Sequence, residues 1–582
     1  MLTCSRRSAG GDSDGGGGTL PGKPAPTAVA GEWAALVVLL ALGLVIALPL
    51  RGLFLKPHGD FYGIWETGDA LLHGELPPSF KRAPVYPLLV TGTGAFFAAA
   101  GCGEVPAQSA AEWLNALLLP INGALVYWLA RGRGGWAARW SAWWFLLLPV
   151  GMYCTTHLLV EPLLVTMILA TLLAVQHESR WAWLWAALAT MTRYDAAGAL
   201  AGVLVLELLA RRPVWGVLWR GALAGAPLVI WLALTAATWS ARGTDHYLAE
   251  MTERPQFAPW PALAVTPTVT GDLPLLQLPY LLQGLTPLLR YGVQAVLLAA
   301  VAVGLVAGFL RQRGVLLVTL AIYAGYTLVH ALFPFQFDRF GYPLSSLYLF
   351  VAAIGVNAVS ERCAGATKGR PWVEVLAVAA TLLLALAVIG EVKGFRYLAA
   401  TQYAWVLPLP ALLMLGTASL WGVSLPRPVH WVQAAGLLAA CLLALAQLRG
   451  GVVRVSAGAN MDNVVAAARW VRDEAEPEAH VLSATPGLLR LYAGRRPADR
   501  FLSFEDIAAE SWPEILDECR QRHVAYIIWY EGLFGELGDY YVARCRLTRF
   551  AGLSSPESLP GVSVVRQWQD TPTLWVVRVS PE

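Results

Sequence analysis

The chain reads as a mainly α-helical, polytopic membrane protein ending in a small α/β domain, and three observations predict this. Hydrophobic residues make up 57% of its 582 residues and charged ones 14%, with a mean hydropathy of +0.53, more apolar surface than one soluble core can hide. The apolar residues fall in runs near the roughly 20 residues that cross a bilayer. From about residue 450 the runs give way to stretches of helical period alternating with short strand-like ones.

Residues 1–31 are rich in Gly, Ser and Pro, with Arg6 and Arg7 and little apolar content, so a disordered cytoplasmic tail is expected. The run at 32–54 follows a long leader and has no small-x-small cleavage site after it, which favours an uncleaved anchor over a signal peptide. Further runs lie at 112–130, 136–153, 158–175, 181–192, 196–210, 215–239, 291–310, 314–333, 342–359, 372–390, 404–422 and 430–448. Together they predict about thirteen transmembrane helices over a membrane region at 32–449. Arg131 and Arg133, Arg180, Arg211 and Arg212, Arg311 and Arg313, Arg362, Lys368 and Arg370, and Arg427 then fall in alternate loops, which marks those loops as cytoplasmic. The N-terminus is inside and residues 450–582 are extracytoplasmic, on a protein of the cell's inner or plasma membrane. Counting the apolar stretch 84–100 as a crossing would invert every later basic loop. It therefore reads as a juxtamembrane or re-entrant helix interrupted by Gly92 and Gly94, with a true span and an imperfect charge pattern as the alternative.

Within 450–582, helical stretches at 463–474 and 505–521 alternate with strand-like runs at 480–483, 525–530 and 574–579, which suggests a small α/β domain. It carries no Gly-rich phosphate loop, serine elbow or metal-ligand cluster, so a structural or acceptor-guiding role is expected. Seven widely spaced cysteines without a CxxC support neither a disulfide framework nor a zinc site; a single Cys519–Cys545 bridge stays open. The net charge of +3, with its basic residues dispersed, excludes nucleic acid as a partner.

Chemistry concentrates just past the first run. The outer loop 55–82 carries Asp60, Tyr62, Trp65, Glu66, Asp69 and His73. A carboxylate beside apolar surface at a membrane face suits general-base catalysis on an acceptor hydroxyl, and Asp60 has that position. The bland alternative is a solvated loop. Glu161 stands at the mouth of a later span on the same predicted side, where an acid faces a cavity or a partner, or snorkels to water.

These residues fall into a recognisable order: Asp60-x-Tyr62 after the first span, Gly74-x-x-Pro77, Pro84-x-Tyr86-Pro87 opening a helix, Glu161 heading a span, and Thr192-Arg193 closing a short one. Over residues 34–359 the pattern resembles the integral-membrane GT-C glycosyltransferases, in particular those using polyprenyl-phosphate sugars, such as protein mannosyltransferases and the lipid A aminoarabinose transferase. The resemblance implies that Asp60 is the catalytic base. Many relatives carry two adjacent acids here, whereas Phe61 follows Asp60, which weakens a two-carboxylate metal site.

Glu161 is the second catalytic candidate: it could orient the acceptor, bind a sugar hydroxyl, or join Asp60 in holding a divalent cation through oxygen, although no cofactor is certain and the metal requirement stays unknown. His157 could add a hydrogen bond. Arg193 offers a planar fork for the lipid phosphate that leaves, or an ion pair with Asp195. Arg339, in Asp338-Arg339-Phe340-Gly341-Tyr342-Pro343, resembles the family's Arg-Tyr-x-x-Pro element and is the preferred phosphate ligand, with Tyr342 beside it. Tyr62, Trp65 and Tyr86 suit stacking on a sugar ring. The proline-rich outer segment 240–290, with Asp245, His246, Tyr247, Glu250, Arg254, Trp260 and Asp272, is long enough to cover a site.

The expected activity is transfer of one sugar, with inversion, from a polyprenyl-phosphate donor to a hydroxyl of a lipid, glycan or protein acceptor at the extracytoplasmic face. The rivals are a transporter or lipid flippase, for which no inverted repeat is evident, and a non-catalytic cell-envelope assembly protein.

Overall fold

The computed structural model describes residues 26–51, 59–77, 80–103, 105–131, 138, 141–142, 145–146, 149–242, 294–331, 339, 341–366, 462–483, 486–493, 500–504, 507, 511–530, 556–569 and 573–581. In chain order the helices are α1 (Pro26–Ala47), α2 (Gly59–Leu72), α3 (Val85–Ala99), α4 (Pro106–Arg131), α5 (Pro149–Thr156), α6 (Glu161–Gln176), α7 (Trp181–Thr192), α8 (Ala197–Leu209), α9 (Val214–Arg242), α10 (Gln294–Arg311), α11 (Arg313–Ala331) and α12 (Gly341–Ala366). A mixed region follows: α13 (Asp462–Asp473), β1 (His480–Ser483), α14 (Pro486–Tyr492), β2 (Phe501–Ser503), α15 (Trp512–Gln521), β3 (Val524–Tyr530), β4 (Val562–Trp568) and β5 (Leu574–Val579). The apolar runs at 372–390, 404–422 and 430–448, residues 1–25, and all of 240–290 from 243 on lie outside the described residues.

Several expectations change. Helix α1 begins at Pro26 rather than near residue 32, because proline's fixed φ suits the first helical position and Thr27–Ala30 continue it. The outer loop is not a loop where it matters: residues 59–72 form α2, because Phe61, Ile64 and Gly68 repeat at helical spacing and are all buried. The runs at 181–192 and 196–210 are each too short for a full crossing. Helices α7 and α8 hold 12 and 13 residues, a rise of about 18–20 Å against a hydrocarbon core of about 30 Å. Between them Arg193 is extended (φ −152°, ψ 136°) and Tyr194–Ala196 make one 3-10 turn, so the pair forms a hairpin. Among the described helices two stretches, Pro106–Arg131 and Val214–Ala237, are long and apolar enough to cross a membrane; Val85–Ala99, Glu161–Gln176 and Gly341–Gly355 are shorter apolar segments. The count of about thirteen crossings also rests on residues outside the described set.

The chain divides into two compact units. The first comprises residues 1–50, 115–155 and 160–448; the second comprises 51–114, 156–159 and 449–582. In the first unit, buried polar side chains answer backbone carbonyls, as an apolar environment demands. Asn122 donates to the Pro162 carbonyl at 2.8 Å and accepts from Thr166 at 2.7 Å, and Ser141 donates to the Leu349 carbonyl at 3.2 Å. Helices α8 and α11 approach backbone to backbone at Gly198 and Gly325; a Cβ on Gly198 would lie 2.4 Å from the Ala321 carbonyl oxygen.

The second unit contains α2, α3 and the C-terminal sheet. The sheet order is β2-β1-β3-β5-β4, with β1 parallel to β2 and β3, and β5 antiparallel to β3 and β4. Parallel neighbours need crossovers, which α14 and α15 supply. Ile527, Ile528 and Trp529 of β3 and Leu574–Val577 of β5 are buried, as befits central strands, whereas β4 is an exposed edge carrying an irregularity between Val564 and Arg566. Helix α15 begins at Trp512 rather than at 505. Glu514 turns back to accept from the Ser511 backbone N–H at 3.2 Å, which fixes the start. Cys519 is a free, buried thiol; Cys545 lies outside the described residues.

Candidate functional site

In the second unit the centre is α2. Asp60 occupies its first turn, where the helix dipole favours an acid. Its Oδ1 accepts from Arg82 Nη2 at 2.6 Å, and both side chains stay about one-quarter exposed (25% and 24%). Tyr62 is buried, and burial, with Tyr492 nearby, pushes its phenol well above the usual range. Trp65 is half-buried with the Arg490 guanidinium 5.6 Å from its ring centre. Glu66 accepts from Arg490 Nη1 at 2.6 Å. Tyr86 is fully buried with its hydroxyl directed to the Leu158 carbonyl at 3.4 Å, and buried His157 lies 3.0 Å from the Thr156 hydroxyl. Of the three aromatics expected to stack on a sugar, only Trp65 keeps an appreciable accessible surface.

The first unit holds a second constellation. Glu161 opens α6 with Pro162 behind it, and its carboxylate is only 2% exposed. Arg193, at the hairpin tip between α7 and α8, donates from Nη1 to Glu161 Oε1 at 2.8 Å, and its Nη2 lies 2.8 Å from Asp195 Oδ2. The expected Arg193–Asp195 pair is therefore present, extended by Glu161. Among the described residues, Oε2 of Glu161 has no hydrogen-bond partner. The Tyr326 ring centre is 5.9 Å from the Arg193 guanidinium, and Arg339, Arg193 and Glu161 all lie close enough to buried Cys154 to act on it electrostatically. Tyr342 is fully buried, stacked on Phe145 at 5.4 Å and closely packed on Gly151. Its ring belongs to the packing around Phe145 and Gly151 rather than to an open surface.

No group of three or more His, Cys, Asp or Glu suited to holding a metal occurs among the described residues. Sequence reading missed Arg82, Arg490 and Tyr326 and treated Asp195 only as a rival partner. Arg82 lies 22 residues from Asp60 and Arg490 lies 424 from Glu66, separations that no local pattern reveals.

No protein-family model matches the chain, and no curated protein matches its sequence. Solved structures do. ArnT from Cupriavidus metallidurans in the apo state is similar with a TM-score of 0.53 at 15% identity, over 95% of this chain and 99% of that one. ArnT from the same organism bound to undecaprenyl phosphate gives 0.52 at 17% identity over the same shares. The fold is the GT-C fold. At these identities the likeness to ArnT is one of fold. Archaeal oligosaccharyltransferase AglB from Archaeoglobus fulgidus, in complex with an inhibitory peptide and a dolichol-phosphate, is similar at a TM-score of 0.49 and 12% identity, over 88% of this chain and 71% of that one.

Proposed function

We propose that the protein is a membrane glycosyltransferase that moves one sugar from a polyprenyl-phosphate donor to an acceptor hydroxyl at the extracytoplasmic face, with inversion. The observation that carries the reading is Asp60: an acid in the first turn of a helix directly after the first apolar helix, held by Arg82 yet still partly accessible, in a chain with the fold of a protein crystallised with undecaprenyl phosphate. Asp60 accepts the proton of the hydroxyl as its oxygen attacks the anomeric carbon. The bond from that carbon to the phosphate oxygen breaks, and the polyprenyl phosphate leaves with the electron pair. Arg82 fixes the carboxylate through one oxygen and orients it.

Arg339 neutralises charge on the departing phosphate, because guanidinium forks match phosphate oxygens in a bidentate way. Arg193 already grips two carboxylates, so its role is to hold Glu161, which positions the reactants. The test is transfer by purified protein from radiolabelled polyprenyl-phosphate sugars to a membrane extract. Asp60→Asn is expected to fold and bind donor while transfer falls by roughly two to four orders of magnitude, whereas Asp69→Asn, at a half-exposed carboxylate of the same helix, costs little. Full transfer by Asp60→Asn would move the base elsewhere. Arg339→Ala is expected to lose more donor use than Arg339→Lys, and equal activity in all three forms would remove Arg339 from the reaction.

A further inference from the structure

Helix α2 is gripped on three faces, about a third of a turn apart at 3.6 residues per turn. Asp60 and Gly63 face Arg82; a Cβ on Gly63 would lie 3.5 Å from its Nε. Phe61, Ile64 and Gly68 form the buried stripe, with Gly68 against Pro87 and Thr91 of α3, where a Cβ would come within 2.4 Å of the Pro87 carbonyl oxygen. The third face, Tyr62, Trp65 and Glu66 at i, i+3 and i+4, meets a single short helix from the far end of the chain, α14. Gly487 sits so close to Tyr62 that a Cβ would approach its Cβ to 2.9 Å. One turn on, Arg490 bonds Glu66 at 2.6 Å and lies 5.6 Å from the Trp65 ring centre. Tyr492 donates to Gln108 at 2.6 Å, which ties the end of α14 to the start of α4.

We infer that α14 is a positioning element for the catalytic carboxylate, with Arg490 and Gly487 as the positioning residues: the C-terminal region sets the rotation of α2, and through it the aim of Asp60. The inference rests on the reading of Asp60 as the base. Two fixed faces alone allow a helix to rock about the line between them; the third contact removes that freedom. The Arg490–Glu66 pair is suited to this, because both side chains are about four-fifths buried and a planar guanidinium loses little freedom per bond formed. A catalytic group displaced by about 1 Å loses up to roughly 100-fold in rate.

The experiment uses the full-length protein in lipid nanodiscs and reads two quantities. Hydrogen exchange across residues 61–70 is expected to rise in Arg490→Ala, while that of β1 and β3 stays unchanged. In the transfer assay, kcat is expected to fall about tenfold with KM for the donor unchanged, and Gly487→Ala to act in the same direction. The charge exchange Glu66→Arg with Arg490→Glu is expected to recover most of the activity that either single reversal loses. Unchanged exchange in Arg490→Ala, or a double reversal no better than the singles, would overturn the inference. Full activity of Asp60→Asn would instead sink the base assignment, and the exchange data would still report whether α14 holds α2.

Discussion

Asp60 and Glu161 are both carboxylates at helix starts, each held by an arginine at hydrogen-bond distance, yet their surroundings differ by an order of magnitude in exposure: about 25% for Asp60 and 2% for Glu161. The difference assigns them different work. A partly exposed pair contributes at most about 1 kcal/mol to stability, because water competes for both partners, so the fold does not depend on the Asp60–Arg82 pair. A buried set gains its strength only when complete; removing one member leaves charge stranded where neither water nor a partner can answer it. The Glu161–Arg193–Asp195 constellation therefore reads first as the device that fixes the α7–α8 hairpin onto α6, and only through that as part of a site.

The comparison can be broken at its strongest point with Asp60→Asn. The expected loss in transfer of roughly two to four orders of magnitude should come without a shift in thermal midpoint; a large drop in midpoint would make Asp60 structural and erase the contrast. Arg193→Ala should do the reverse. It strands two buried carboxylates and is expected to cost about 3–5 kcal/mol of stability, read as lost yield or a lowered unfolding midpoint in detergent. Adding Glu161→Gln and Asp195→Asn to Arg193→Ala should restore part of that loss, since no charge then remains unanswered.

The pH dependence of the second unit sharpens the same contrast. Burial pushes the Cys519 thiol from its ordinary 9.0 to about 12, so the folded chain holds that proton more tightly than the unfolded chain does. The stability this gives is complete below about pH 9 and is lost as pH rises from 9 toward 12. At pH 9, exposed Cys102 should alkylate readily while Cys519 remains protected, and rapid labelling of both would show that the thiol is not enclosed as the structure has it. The smallest effect on stability is expected for Arg82→Ala: no more than about 1 kcal/mol in a chemical denaturation midpoint, with a fall in transfer because Asp60 loses its guide.

Much of the fold was legible because helices and strands announce themselves by period. The run at 181–192 matches α7 residue for residue, and 480–483 and 574–579 match β1 and β5, since each is a local apolar pattern with clear ends. Helix α2 was hidden by its own chemistry. Asp60, Glu66, Asp69 and three glycines make 59–72 look like a polar loop, and only the burial of Phe61, Ile64 and Gly68 against other segments pays for the helix. The strands β2 and β4 were missed for related reasons: one has three residues, and the other, an exposed edge, needs no alternation to satisfy a core.

By itself the sequence determined the class of the molecule, through the amount and spacing of apolar residues, and the identity of its notable acids and arginines, through their rarity in apolar surroundings. Only the tertiary structure decided who holds whom. Arg82 on Asp60, Arg193 between Glu161 and Asp195, and Arg490 on Glu66 are pairings across 22, 32 and 424 positions, with Asp195 the one near neighbour in sequence. Periodicity acts over one or two turns of chain. An ion pair acts over a few ångströms of space, and nothing in a linear pattern says which distant turns will share those ångströms once the apolar faces have packed.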